Sequence, residues 1–335
     1  MRIYITGICG YLGSSLAIDL LKKGHSVGGL DNLMYEQDME RILDSFSNFD
    51  TAPAVQILDI RNRDFLFKEL DEFLPDVMVH FGDLSSVYSC NHNPRLTESI
   101  SIQGTGNILE YCAKRSIPLI YNSTSSVYGS RPDRRLMLES DILDEPSDQY
   151  CAAKLKIERL LNDLSQEHKN FKFITFRPAT VFGVSPRFRI ELLPNHFVYS
   201  AISKKVIYVS NQNAARAFIS IKTIGQIYAK VIEVGIFNNS TYNIGSYNLT
   251  KLEVALHIQE LTDARIETIP DIGDLRNLRI SSKSFENDHF NIPHSSFKDE
   301  IAHVIDYTKE NKKSIENTNF SGLLNMPLEN WMRLN

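Results

Sequence analysis

The chain reads as an α/β protein built on a doubly wound parallel sheet. Three observations predict this. Short β-rich runs alternate with amphipathic helical runs through the first half of the chain. The first strand runs directly into a glycine turn that opens a helix. Residues with chemistry in them fall where the strands end, and open α/β sheets bind their ligands beyond those ends.

Arg2-Ile-Tyr-Ile-Thr6 is the first strand, and it meets Gly7-Ile-Cys-Gly10-Tyr-Leu-Gly13. A helical pattern follows from Leu12 to Lys23, with Leu12, Leu16, Leu20 and Leu21 on one side, closed by Gly24. Strand, glycine turn and helix open a nucleotide-binding βαβ unit. The spacing is GxxGxxG, a departure from the commoner GxGxxG. Such glycines let a pyrophosphate approach the backbone at the positive helix N-terminus, so Gly7, Gly10, Tyr11, Leu12 and Gly13 are candidate cofactor contacts. The alternative is a plain tight turn.

The second strand, Ser26-Val-Gly-Gly-Leu30, ends on Asp31-Asn32. A carboxylate here accepts from a ribose diol and repels a 2'-phosphate, which argues for NAD over NADP. The competing reading of Asp31 is a solvated turn residue. The third strand, Ala54–Leu58, delivers Asp59 and Ile60 to a position suited to adenine. The fourth, Val77–Phe81, is followed by Gly82-Asp83, where a cofactor backbone can pass close. The fifth, Pro118–Asn122, delivers the hydroxyl run Ser123-Thr-Ser-Ser126, and the sixth is Phe171–Arg177. Helical patterns separate them, the longest from about Pro94 to Lys114.

Gln149-Tyr-Cys-Ala-Ala-Lys-Leu-Lys-Ile-Glu-Arg-Leu-Leu161 reads as a helix, with Tyr150 and Lys154 one turn apart on one face. A phenol has a pKa of about 10, too high for a base near neutrality. A neighbouring ammonium is expected to lower it. Alone the pair is weak, because Tyr-x-x-x-Lys arises by chance on ordinary helices. Its weight comes from the strands and glycines before it.

Composition excludes several classes. The chain has 335 residues, enough for a sizeable core and two folding units, with 42% hydrophobic and 23% charged residues. Lys+Arg 36 against Asp+Glu 41 gives a net charge of -5, which favours neither nucleic acid nor an anionic membrane as partner. Cys9, Cys90, Cys112 and Cys151 lack metal-type spacing, so no metal is expected. No signal-peptide pattern and no apolar run of membrane-span length occurs, so the expected location is the cytoplasm. No internal repeat is visible, and the stretch after Ser281 is polar and weakly patterned.

With these pieces in view the chain resembles the extended short-chain dehydrogenase/reductases, in their nucleotide-sugar epimerase/dehydratase branch. The matching pieces are Thr6–Gly13, Leu30-Asp-Asn32, Asp59-Ile60, His80-Phe81-Gly82, Ser123–Gly129, Tyr150-xxx-Lys154 and Arg177-Pro-Ala-Thr-Val-Phe-Gly183. The resemblance implies a Rossmann-type NAD-binding domain over 1–178, with a return segment near 213–236, and a smaller α/β substrate domain over 179–335. It implies Tyr150 as base, Lys154 on the nicotinamide ribose, Phe81 and Gly82 along the cofactor, and Thr124 as the hydroxyl partner. It also implies a homodimer through the helices near Pro94–Lys114 and Asp148–Leu164.

Departures from the family pattern narrow the chemistry. Sugar 4,6-dehydratases carry acids in the two positions after the Thr, and UDP-glucuronate decarboxylases a Glu at the second. Here both are hydroxyls, Ser125 and Ser126, which read as substrate contacts. UDP-galactose 4-epimerases commonly carry Asn where Ala179 and Ser101 stand, which argues against a standard one. Ser185-Pro-Arg-Phe-Arg-Ile-Glu-Leu-Leu-Pro-Asn195 looks like a subgroup that includes a GDP-heptose 4-dehydrogenase of bacterial capsule biosynthesis.

A sugar nucleotide needs local cations in an acidic chain, and guanidinium forks suit its diphosphate. Arg216 stands in the family register for that role, and Arg276 is the second candidate. Arg187 and Arg189 are either substrate ligands or surface and oligomer contacts. Asn195 is either an N-cap or a substrate contact, and His196 reads as structural. The expected reaction is NAD-dependent oxidation at C4 of a nucleotide sugar to a 4-keto sugar. A 4-epimerase results if the hydride returns in place; a non-catalytic NAD-binding protein is the remote alternative.

Overall fold

A computed structural model describes every residue except 36–38, 50–51, 132–134, 142, 144, 147, 271–275, 293–294 and 318–335. The end of the 179–335 segment thus falls outside the described residues.

The main sheet has seven strands. The first five in the chain are β1 (Arg2–Thr6), β2 (Ser26–Asp31), β3 (Ala54–Ile57), β4 (Val77–His80) and β5 (Leu119–Asn122). Across the sheet the order is Ser240–Ile244, Phe173–Pro178, β5, β4, β1, β2, β3, and every pairing is parallel. The strand order reverses between β1 and β4, and a crevice opens there beyond the carboxyl ends.

Side chains alternate across the sheet because successive residues of a strand face opposite sides. Ile3, Ile5, Val77, Val79 and Ile120 enter one core with Leu16 and Leu20 of the helix Tyr11–Lys22 and with Ile224, Ile227 and Val231 of the helix Ile221–Val234. Tyr4, Met78, Leu119 and Tyr121 enter the other, against Leu66, Leu70, Ile108, Ile157 and Leu161. The doubly wound sheet predicted from the sequence is therefore the fold observed.

Three differences have physical causes. The helical run from Pro94 is interrupted: Pro94–Thr97 passes through a π-helical segment, Glu98–Gly104, before Thr105–Arg115. There Gly104 lies so close to Ile60 that a Cβ would come within 2.7 Å of it. The strand Ser240–Ile244 was not expected. It pairs with Phe173–Pro178, so the chain returns to the main sheet beyond residue 236. The Leu193–Lys204 helix begins at Leu193, which puts Asn195 inside its first turn and away from the N-cap.

The second core gathers Phe182, Phe188, Phe197, Phe218, Val254, Ile258, Phe297 and Ile301. It lies beneath a three-stranded sheet in which Ala215–Ser220 runs parallel to Thr180–Phe182 and antiparallel to Tyr247–Thr250. Register fixes Arg216 at the start of the middle strand, opposite Leu249. This layer faces the carboxyl ends of the main sheet.

His80, at the end of β4, is 1% exposed and lies between the hydroxyls of Thr6 (2.6 Å) and Thr105 (2.9 Å). Burial, then the balance of Asp83 against Lys154, takes its pKa down to about 4. A His whose folded pKa is depressed contributes stability above its unfolded value of about 6.5 and loses it as the pH falls. His80→Gln should therefore flatten the fall in unfolding free energy between about pH 6.5 and pH 4 by about 2–4 kcal/mol, read from urea titrations across that range. An unchanged slope would mean that His80 does not titrate on unfolding.

Candidate functional site

The glycine turn is shaped by its contacts. Gly7 has φ +69°, and a Cβ there would stand 2.9 Å from the Gly82 nitrogen. At Gly13 a Cβ would overlap the Gly7 carbonyl. The turn is anchored to β2: Gly7 N–H donates to Leu30 O (2.7 Å), and Cys9 N–H donates to Asp31 Oδ2 (3.2 Å). Asp31 Oδ1 accepts from Leu33 N–H at 2.9 Å. The first turn of the following helix carries no acidic residue. Backbone N–H groups and an uncompensated helix N-terminus make a fit place for a pyrophosphate.

From this turn a cavity of about 1010 Å³ runs over the ends of β1, β4 and β5 to the second core. At the nucleotide end it is lined by Gly7, Gly10, Tyr11, Leu12, Gly13, Asp31, Asn32, Ile60, Phe81 and Gly82. At the other end it is lined by Thr124, Ser125, Ser126, Tyr150, Lys154, Arg187, Arg216 and Arg276. Two expected contacts lie elsewhere. The carboxylate of Asp59 is taken by Arg61 (2.7 and 2.9 Å) and by Asn32 (3.0 Å), and Arg61 holds it down at about 2. Asn195 is fully buried and staples its neighbouring loop, accepting from Gly183 N–H (3.0 Å) and donating to Arg189 O (2.8 Å). Neither lines the cavity, and each has partners within the protein.

The hydroxyl run is held at the end of β5. Thr124 Oγ1 accepts from Ser126 N–H (3.1 Å) and caps the short turn Ser125–Tyr128. Ser123 donates to Glu158, which forms a buried ion pair with Arg177 at 2.6 Å; Arg177 donates in turn to Tyr128 Oη (2.9 Å). On the next helix, Asp148 accepts from Cys151 N–H (2.8 Å) as N-cap and fixes where Tyr150 begins to face the cavity.

Lys154 Nζ donates to the Asn122 carbonyl (2.7 Å) and pairs with Asp83 Oδ2 at 2.8 Å. Both side chains of that pair are 6% exposed. Asp83 and Asn122 line the cavity beside Lys154; the sequence reading placed Asp83 only in a turn that a cofactor could pass, and gave Asn122 no role. An acid directly after Gly82 at the end of β4 was the available signal for Asp83.

Lys154 acts on Tyr150 in the direction its spacing predicts, but it is not the largest influence. Burial is the largest influence and raises its pKa; Lys154 and the nearby Thr124 hydroxyl lower it, while Asp83 raises it again, and the net direction is up.

Cations converge on the far end. Arg276 donates to Ser126 Oγ (2.6 Å), and Arg187 lies over the Tyr35 ring at 5.3 Å from its centre. Arg189 pairs with Glu191 at 2.6 Å and reaches Ser85 at 3.3 Å, so it bridges segments rather than lying on the surface. His196 lines the cavity as well, with burial taking it down to about 4. Among the described residues no group of His, Cys, Asp and Glu is placed to hold a metal. No described helix is long and apolar enough to cross a membrane.

Comparison with known proteins agrees with this geometry. Residues 3–245 match the family described as NAD dependent epimerase/dehydratase. Protein CapI of Staphylococcus aureus is 29% identical over 70% of this chain and 70% of its own length. A probable UDP-glucuronate 4-epimerase of Rhizobium meliloti is 30% identical over 55% of this chain and 54% of its own. A UDP-glucose 4-epimerase of Pisum sativum is 27% identical over 52% and 51%. The chain thus matches only about half the length of the latter two relatives.

In fold, the UDP-glucose 4-epimerase of Bifidobacterium longum, solved with NAD+ and UDP, superposes with a TM-score of 0.82 at 19% identity. That match spans 93% of this chain and 99% of that one. These relatives are named for 4-epimerases and CapI, not for the GDP-heptose 4-dehydrogenase expected from Ser185–Asn195. The chain belongs to the NAD dependent epimerase/dehydratase family.

Proposed function

We propose that the protein is an NAD-dependent 4-epimerase of a nucleoside-diphosphate sugar. The observation that carries this is the convergence of Thr124, Tyr150 and Lys154 on one cavity with the glycine turn at one end and Arg216 at the other. The names of the relatives support the epimerase outcome over net oxidation.

In this reading Gly7, Gly10 and Gly13 hold the dinucleotide pyrophosphate, Asp31 the adenosine ribose and Lys154 the nicotinamide ribose. Bound NAD supplies a hydride acceptor and donor at the sugar's C4. Tyr150 takes the C4 hydroxyl proton, directly or through Thr124, and gives it back after the sugar turns. Ser125 and Ser126 contact the sugar, and no acid stands in that loop for elimination. Arg216, Arg187 and Arg276 hold the diphosphate, and the cavity wall keeps water from the 4-keto intermediate.

A second reading rests on Ala179 and Ser101, which stand where galactose epimerases commonly carry Asn. Here the 4-keto sugar leaves, and the protein is a 4-dehydrogenase of GDP-heptose or a similar sugar in bacterial surface-polysaccharide synthesis. Incubation with UDP-glucose, UDP-galactose, UDP-glucuronate and GDP-heptose decides between them, with products followed by NMR and reduced nicotinamide by absorbance. Inversion at C4 without reduced cofactor is expected. Accumulation of both reduced cofactor and a 4-keto sugar would establish the second reading. No turnover of any sugar, with Tyr150→Phe indistinguishable from the parent, would overturn both.

A further inference from the structure

The segment between the strand Thr180–Phe182 and the helix Leu193–Lys204 places one carboxylate, Glu191, on the cavity wall. Its side chain is 4% exposed. Oε1 accepts from Arg189 Nε at 2.6 Å, whereas Oε2, equally buried, has no hydrogen-bond partner among the described residues. A buried carboxylate oxygen is costly to leave without a donor. On a cavity wall, such an oxygen marks a contact for a ligand that brings one.

The surrounding bonds hold Glu191 in place. Arg189 O accepts from the Asn195 amide (2.8 Å), Asn195 Oδ1 accepts from Gly183 N–H (3.0 Å), and Tyr11 Oη donates to Gly183 O (2.8 Å). The segment is thereby fastened to the first helix. On its other side Arg189 donates to Ser85 Oγ (3.3 Å), and Ser85 N–H donates to Tyr35 Oη (3.2 Å). Ser85 comes two residues after Asp83, the partner of Lys154, which ties Glu191 to the reacting end of the cavity.

We propose that Glu191 is a specificity-determining residue: its unpaired carboxylate oxygen accepts from a hydroxyl of the substrate sugar other than the one at C4. This rests on the epimerase reading, in which the C4 hydroxyl belongs to Tyr150 and Thr124 and the cofactor riboses belong to Asp31 and Lys154. A neutral donor suits the site better than a cationic one. The charge of Glu191 is already matched by Arg189, and Arg187 lies over the same Tyr35 ring that Ser85 holds. An amino sugar would bring a further positive charge to that wall.

A purely structural role competes, because an acid just before a helix N-terminus favours the helix. That role accounts for the pairing with Arg189 but not for an oxygen buried without a donor. A wall built around a substrate hydroxyl rejects the analogue that lacks it, since the acceptor is then left dry.

The test reads binding rather than turnover. Full-length protein loaded with NAD+ is titrated calorimetrically with UDP-glucose, UDP-galactose and GDP-heptose, and then with the tightest binder's forms deoxygenated at C2, C3 and C6. One of these should bind about 10–100-fold more weakly than the complete sugar, which is what a hydrogen bond to a charged group is worth. Glu191→Ala should weaken the complete sugar by a similar factor and no longer distinguish it from that analogue. Its affinities for NAD+ and for the bare nucleoside diphosphate should be unchanged. Glu191→Gln, which keeps an oxygen acceptor, should fall between.

A parent protein that binds all three deoxy sugars as tightly as the complete one would overturn the proposal, and that measurement needs no variant to fold. So would a Glu191→Ala protein that binds NAD+, the nucleoside diphosphate and every sugar more weakly by one factor, since an acid that only braces Arg189 gives that result. A loss confined to NAD+ would move the contact to a cofactor ribose and overturn it as well. Failure of every sugar to turn over, with the binding pattern as expected, would instead count against the epimerase reading alone.

Discussion

Tyr150→Phe should lower turnover by a factor of about 10²–10⁴, the usual contribution of a positioned acid–base group, with little change in cofactor affinity or unfolding midpoint. The ring packs between the two main cores, and its backbone position is set by the Asp148 cap and the helix, none of which uses the hydroxyl. Lys154 keeps its place without it, because Asp83 and Asn122 hold the ammonium. The lost group is then the proton acceptor alone. Single-turnover kinetics with the sugar, beside cofactor titration and urea unfolding of the same variant, separate these effects. Activity within tenfold of the parent would remove Tyr150 from the chemistry and shift attention to Thr124. A large loss of cofactor affinity would mean that the phenol binds rather than reacts.

Much of the architecture was legible because its signals are local. Strand, glycine turn and helix at Arg2–Lys22 are contiguous, and the strand-end positions of Asp31, Gly82, Thr124 and Tyr150 follow from where short apolar runs stop. The strand Ser240–Ile244 was missed because Ser-Thr-Tyr-Asn-Ile has a weak pattern and gains its place only by pairing with residues 66 positions earlier in the chain. Asp59 was assigned from its place after β3, but its carboxylate is claimed by Arg61, only two residues on. Asn195 looked like a cap or a ligand, yet its amide satisfies the backbone of Gly183 and Arg189, a tertiary demand that composition does not reveal. Lys154 lowers the pKa of the Tyr150 phenol, as its spacing predicts, while burial raises it. Spacing showed the ammonium one turn away, whereas burial and Asp83 come from elements packed around the helix, which the local sequence does not reveal.

Arg177→Ala should destabilise the protein by about 3–5 kcal/mol, the largest effect expected outside the catalytic residues, because it strands the buried Glu158 carboxylate without its partner. The two side chains are 8% and 7% exposed, and Glu158 also accepts from Ser123, next to Thr124. Arg177 meanwhile donates to Tyr128, which donates to Asn243, so one guanidinium ties the hydroxyl loop to two strands of the sheet. Removing it leaves several buried polar groups unsatisfied at once, and the cost exceeds that of a single hydrogen bond. Replacing both charges by apolar residues of similar volume, Glu158→Leu with Arg177→Met, should recover a large part of the loss, since the desolvation of two ions is then avoided. Urea midpoints of the parent, the two single variants and the double variant form a cycle that isolates the coupling between the pair. An Arg177→Ala cost below about 1 kcal/mol would show that solvent reaches Glu158 in the folded protein. Residual turnover of the double variant reads the other half of the argument: if the pair fixes Thr124 for the reaction, stability returns while turnover stays depressed.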